Sequence, residues 1–277
     1  MTTPIVLEEL TRRALDGDRD ALDSLVRALQ GDIYGLALRM LWNREDAEDA
    51  TQEILVRIVT RLSQFRFQSR LKTWAYRLAV NYVLDVQKSP IERLHLSFER
   101  FADSLAEGRE PTSAEDTEHS MLVEEVKVGC SLAMLQCLDR PHRAAFLLGE
   151  IMELSGPEAA EVLGIEPALF RKRLQHARQA ILRFTRSHCG LVSDTAACQC
   201  HRRVSSAAVA SFDDAQPLNF ARRATSFREA RALVRQIEEA RSELALYRTS
   251  EPRASTIDFA QRLVSGMRWP SNPASET

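Results

Sequence analysis

The sequence predicts an all-α protein: two small helical domains joined by an acidic linker, followed by a partly helical C-terminal extension. Three observations carry this. Period-two alternation is scarce and β-branched runs are short. Apolar residues recur at helical spacing through most of the first 187 residues. Charge is also segregated by segment: residues 1–88 hold 13 basic and 13 acidic side chains, 89–126 hold 3 and 10, and 127–187 hold 9 and 6. The formal net charge of −2 over 277 residues hides this asymmetry. A near-neutral total therefore does not argue against nucleic-acid binding, because distribution decides.

Residues 6–30 read as one or two helices broken at the turn Asp16-Gly17-Asp18, and 32–42 as another, ending near Trp42-Asn43. The segment from Glu45 to Leu62 is a helix with acids in its first turn, where they suit the dipole. Ala47, Ala50, Ile54, Ile58 and Leu62 share its apolar stripe, while Asp49, Gln52, Glu53 and Val56 point away. Leu71 to Lys88 is apolar over most of its circumference, as befits a central bundle helix or one with a partner on its second face. Pro90, Gly108, Pro111 and the polar run Thr112 to Ser120 mark 89–126 as a linker. Helical periodicity resumes near Met121 and reaches Leu138. Pro141 opens a compact unit to about Arg186. Two amphipathic segments, 226–248 and 255–267, follow a loop-rich stretch from His188 to Pro217.

Two neighbouring clusters carry chemistry. The acids Glu45, Asp46, Glu48, Asp49 and Glu53 suit docking on a basic protein surface. Phe65, Arg66, Phe67, Arg70, Lys72, Trp74, Tyr76 and Arg77 combine rings with cations, a pattern that holds unpaired nucleic acid by base stacking and phosphate attraction. Trp74 at helical spacing suits plain core equally, and Asp46 and Glu48 suit simple dipole complementation.

A third block covers 154–182. Ser155 with Glu158 is a capping-box signature, and Ala159, Val162 and Leu163 form a short apolar face. Gly164 supplies a tight turn before Ile165, and Pro167 opens the next helix. There Phe170, Leu174, Ala177 and Ile181 make a core stripe opposite Lys172, Gln175, His176, Gln179 and Arg183, with Arg171 and Arg173 on the flanks. A cationic second helix after a glycine turn describes a helix-turn-helix; a solvated cationic face is the plainer alternative.

Taken in this order, with the acidic linker between them, these blocks resemble the extracytoplasmic-function sigma factors, the smallest bacterial members of the sigma-70 family. The resemblance covers about residues 8–187. Its most specific stretch runs from N-R-E-D-A-E-D-A-T-Q-E-I through F-R-F-Q-S-R-L-K-T-W-A-Y-R-L-A-V-N-Y-V-L-D. It implies a region 2-like domain at 1–88, the linker 89–126 threaded through the polymerase channel, a region 4-like helix-turn-helix domain at 127–187, and an added extension at 188–277. Asp49, Gln52, Glu53 and Val56 match the surface that grips the β′ clamp helices. Phe65, Lys72, Thr73, Trp74 and Tyr76 match the segment that melts the −10 element, and Asn81 and Asp85 the part that reads it. Arg171, Lys172, Arg173, Gln175 and His176 fall on the −35-reading helix. The implied partners are RNA polymerase core (β′ clamp helices and β flap), promoter DNA and an anti-sigma factor. The chain departs from the family at Val80, where a basic residue commonly precedes the asparagine, and at Ala168, Phe170 and Arg171, where a smaller, more polar pattern is usual.

The five cysteines fit thiols or metal ligands better than a disulfide framework. Cys189, Cys198, Cys200 and His201 give C-x8-C-x-C-H, a donor set suited to zinc or another soft ion. His188 and Asp194 are reserve ligands, and loop thiols without metal are the plainer alternative. Cys130 and Cys137 read as small core residues. The extension, lying beyond the minimal family fold, is a candidate regulatory domain that senses metal or redox state or folds back on the DNA-binding units.

No stretch approaches the roughly 20 apolar residues of a membrane span, and the N-terminus lacks signal-peptide character, so a cytosolic protein without membrane contact is expected. Nothing resembles a nucleophile–base pair, a phosphate loop or paired carboxylates; a non-enzymatic promoter-specificity subunit requiring no cofactor is the leading reading. A helix-turn-helix repressor or activator with an N-terminal dimerisation or ligand domain is the alternative. An enzyme with the cysteines as a zinc site stands third, lacking a motif such as H-E-x-x-H.

Overall fold

The computed structural model describes residues 4–86, 95–106, 117–193, 195, 196, 198–203 and 257–266. In chain order the helices are α1 (Pro4–Leu15), α2 (Arg19–Leu41), α3 (Arg44–Thr60), α4 (Leu71–Asp85), α5 (Phe98–Ala106), α6 (Thr117–Gln136), α7 (Arg140–Phe146), α8 (Gly156–Leu163), α9 (Pro167–His188) and α10 (Phe259–Gly266). Among the described residues the only β feature is an isolated bridge between Cys189 and Cys198. The predicted all-α class holds. The segment 226–248 and residue Asp194 lie outside the described residues.

By contacts the chain divides into two compact units, one of residues 1–89, 156–167 and 254–277, the other of 90–155 and 168–253. In the first unit Asp18 caps α2 by accepting the Ala21 N–H at 3.0 Å, and Arg13 Nε holds the same carboxylate at 2.9 Å. That N–H and the guanidinium keep the Asp18 carboxyl below the usual range.

Helix α2 runs unbroken through Gly31, where the sequence suggested a break. An interior glycine costs about 1 kcal/mol. Burying Leu29 and Ile33 on either side returns about 1.5–3 kcal/mol each, so the helix continues. Asn43 caps α3 through the Asp46 N–H at 2.8 Å, and the stripe Ala47, Ala50, Ile54, Ile58 and Leu62 is buried as predicted. Helix α4 is packed by α1, α2, α3 and α8, which accounts for its apolar circumference. Helix α10 packs on α2 and α3; Asp258 takes Arg27 Nη1 at 2.7 Å and caps α10 through the Gln261 N–H at 2.9 Å.

The second unit contains structure that composition concealed. Residues 98–106, inside the expected linker, form α5, whose Phe98 and Phe101 rings lie 5.2 and 5.3 Å from Phe184 of α9. Helix α6 begins at Thr117, ahead of the Met121 expected. Buried Arg143 of α7 closes the end of α6, with Nε donating to the Leu135 carbonyl at 2.9 Å and Nη2 to the Leu138 carbonyl at 3.0 Å. A π-turn at Leu147–Ile151 extends α7.

Arg143→Met leaves those buried carbonyls without their charged donor. It should destabilise the second unit by about 2–4 kcal/mol, read as faster amide exchange through α6 and α7 while α2 keeps its protection.

Candidate nucleic-acid interface

The acidic face belongs to α3. Asp49 and Gln52 are exposed, and Glu53 and Val56 are half-buried, so all four stand outside the core. Glu53 Oε1 accepts from Arg57 Nε at 2.8 Å, and the Arg57 guanidinium lies 4.6 Å over the Tyr82 ring of α4. Burial, then the Glu53 carboxylate, raises the Tyr82 phenol above its ordinary pKa. Glu53 is thus half committed inside the protein, while Asp49 and Gln52 face solvent.

The aromatic-basic segment turns from the short 3-10 helix Leu62–Gln64 into α4. It sets three rings in a row: Phe65 is 4.7 Å from Phe67 and 5.4 Å from Trp74. The middle ring is buried. Phe67 is 39% exposed and Trp74 half-buried, so the outer two are partly accessible. Phe67 sits at φ 56°, a left-handed backbone that an aromatic residue adopts at a cost of about 1–3 kcal/mol. The Arg12 guanidinium lies 5.0 Å from the Phe67 ring centroid. Arg66, Arg70 and Arg77 are exposed beside the rings, with Arg70 Nη1 3.5 Å from Glu158 of α8.

Three predicted residues occupy different roles in this structure. Phe65, Thr73 and Tyr76 are buried, so their side chains face the core and offer no stacking surface as they stand. The Tyr76 hydroxyl donates to Asp32 Oδ2 at 2.9 Å, and Lys72 Nζ reaches the same oxygen at 2.7 Å. Burial, and then the Asp32 charge, raises the Tyr76 phenol far above its usual pKa. Asp32 on α2 thereby fixes the first turn of α4. Asn81 and Asp85 are exposed further along the helix. Val80 is fully buried, so the residue before Asn81 is core.

In the helix-turn-helix, Gly164 takes φ 61° and the Ile165 N–H closes on the Ala160 carbonyl at 3.1 Å, ending α8 before Pro167 opens α9. Phe170, Ala177 and Ile181 are buried. Arg171, Lys172, Gln175 and His176 are exposed and Arg173 half-buried. Arg178 is held inward by the buried Glu150 carboxylate, its Nε donating at 3.0 Å. The His176 ring lies 4.8 Å from His142, whose Nδ1 is 2.6 Å from Asp139. Sequence reasoning passed over Leu169, 40% exposed beside the recognition positions. Its place next to the core residue Phe170 gave no periodic signal.

The cysteine cluster differs in membership from the expected set. Cys189, Cys198 and Cys200 share a cavity of about 20 Å³ with Cys130 of α6 and with Lys127 and His188. Cys130 is therefore not an ordinary core residue; burial, then the nearby Cys198 and Cys189, pushes its thiol up to about 12. The His201 side chain lies outside the described residues. Among the described residues no three His, Cys, Asp or Glu side chains already stand as a group able to hold an ion.

Residues 25–89 match the family model for Sigma-70 region 2, and residues 130–181 that for Sigma-70, region 4. The chain is 29% identical over 184 residues to the ECF RNA polymerase sigma factor SigE of Mycolicibacterium smegmatis, covering 65% of this chain and 68% of that one. It is 27% identical over 189 residues to SigW of Bacillus subtilis, covering 64% and 95%. It is 29% identical over 193 residues to the RNA polymerase sigma-H factor of Pseudomonas aeruginosa, covering 63% and 91%.

The ring row separates packing from presentation. Phe65→Ala should cost the first unit about 3–5 kcal/mol. Phe67→Gly, which relieves the left-handed backbone as it removes a ring contact, should leave stability within about 1 kcal/mol of the parent. Denaturant unfolding followed by tryptophan fluorescence measures both.

Proposed function

Because this chain belongs to the extracytoplasmic-function branch of the sigma-70 family, we propose that the surfaces described above divide the work of directing RNA polymerase to promoters. Asp49, Gln52, Glu53 and Val56 dock on the basic β′ clamp helices. Phe67 and Trp74 receive −10 bases as they leave the stack, flanked by the cations of Arg66, Arg70 and Arg77 on phosphates. Asn81 and Asp85 read the same element. Arg171, Lys172, Arg173, Gln175 and His176 face the −35 major groove, where cations position the protein and base-edge contacts specify. The chain does this in the cytosol without chemistry of its own. An anti-sigma factor, or the C-terminal extension, would silence it by covering these surfaces.

The observation that carries this reading is the ring row, with its outer two rings partly accessible, arginines beside them in the chain, and one ring held on strained backbone. A protein that reads only duplex DNA has little use for stacking rings, which counts against an ordinary repressor. Among the described residues no helix is long and apolar enough to cross a membrane.

Run-off transcription with purified polymerase core tests the assignment. Stacking is worth about 1–3 kcal/mol per base, so Phe67→Gly and Trp74→Ala should each lower open-complex formation about 5- to 150-fold while leaving core binding intact. Joint replacement of Gln52 and Glu53 by lysine should instead weaken core binding at least about tenfold, most strongly at low salt. Normal initiation by both ring variants would sink the melting role.

A further inference from the structure

The C-terminal extension opens with a loop built around sulfur. Helix α9 ends at His188, and Cys189 pairs with Cys198 across the parallel bridge, the Gly190 N–H donating to the Cys198 carbonyl at 2.9 Å. A Cβ at residue 190 would run into that carbonyl oxygen, so glycine is what lets the two cysteine-bearing segments approach. The Val192 and Ser193 N–H groups both return to the Cys189 carbonyl, at 3.0 and 2.9 Å. Cys200 then begins a short 3-10 turn. Facing this loop, α6 contributes Cys130 and the buried Lys127. Four of the five cysteines thus line one small cavity, and among the described residues no carboxylate or hydroxyl side chain lines it with them.

We propose that Cys130, Cys189, Cys198 and Cys200 form a four-thiolate site for a zinc-type divalent cation, Cys130 filling the position that the C-x8-C-x-C-H spacing reserves for His201. The donors are the soft ligands zinc prefers. As they stand the side chains do not converge, so the site requires the cysteines to rotate between staggered wells when the ion binds.

The charge closes as well. Four thiols release four protons to solvent and four thiolates bind one divalent ion, leaving a net charge of −2. Two cations stand within electrostatic reach: Lys127 favours the thiolate of Cys200 and Arg203 that of Cys130. The bound ion ties α6 to the first loop of the extension. It also reaches α5, through Arg203 Nη1 on the Ser104 carbonyl at 2.9 Å and through Phe101 and Leu105 in the cavity wall.

The test uses the full reduced chain, with Zn2+ for affinity and Co2+ as the spectroscopic probe. One ion per chain is expected, with a cobalt charge-transfer band of four-thiolate intensity. Cys130→Ser should weaken Zn2+ binding at least about tenfold and remove one thiolate from the band, while Cys137→Ser changes neither. Should Cys130→Ser not fold, the thiolate count of the parent chain decides: four supports the site, three or fewer overturns it. Unchanged binding in a folded Cys130→Ser variant, or a parent chain that binds no Zn2+, also overturns it.

Discussion

Helix α2 is buried along most of its length, and the first unit is arranged by the need to cover it. Leu22, Leu25, Val26, Leu29, Ile33, Leu38, Met40 and Leu41 are all essentially inaccessible, which one packing partner cannot achieve for a helix. Helices α1, α3, α4 and α10 share the task. Asp32, one of the polar residues on this rod, then becomes a fixed point. It takes both Lys72 and Tyr76, so the start of α4, and with it Trp74, is tied to the most extensively packed helix of the unit.

Much of this was legible in the sequence because it rests on periodicity. The α3 stripe, the recognition-helix stripe and the turn at Gly164 all follow from spacing alone. What escaped has specific causes. Gly31 reads as a breaker, yet its cost is small against the burial on either side. The apolar residues of α5 are few and set among acids, so composition outvoted the i, i+3, i+7 spacing of Phe98, Phe101 and Leu105. The F-R-F run showed rings and cations without showing that the first ring turns inward and the second outward; that division needs the backbone at Phe67. Cys130 could not be joined to the other cysteines by spacing, because only the tertiary fold brings α6 to the loop after α9.

The two faces of α3 divide its residues between packing and exposure. Its inner stripe is small and aliphatic, permitting close approach to α2. Its outer acids are partly drawn into the protein, Glu53 by Arg57 and Arg57 by Tyr82. An acid already oriented by a neighbouring cation loses less rotamer freedom when a basic partner arrives, at the cost of some charge already neutralised. Asp49 and Gln52 hold the complementary share, open to solvent and adaptable.

Gly149 lies under the recognition helix. A Cβ there would meet Leu174 Cδ2 at 2.8 Å and Phe170 Cζ at 3.3 Å, so side chains of α9 rest close to bare backbone. The inner half of α9 is consequently a mould with little tolerance, closed by Glu150 and Arg178 at its side. The outer half bears no such duty at Lys172, Gln175 and Gln179. Substitutions there can alter the charge and shape that α9 presents without disturbing how the rod is seated, so its outer face is free to change while the fold beneath stays still.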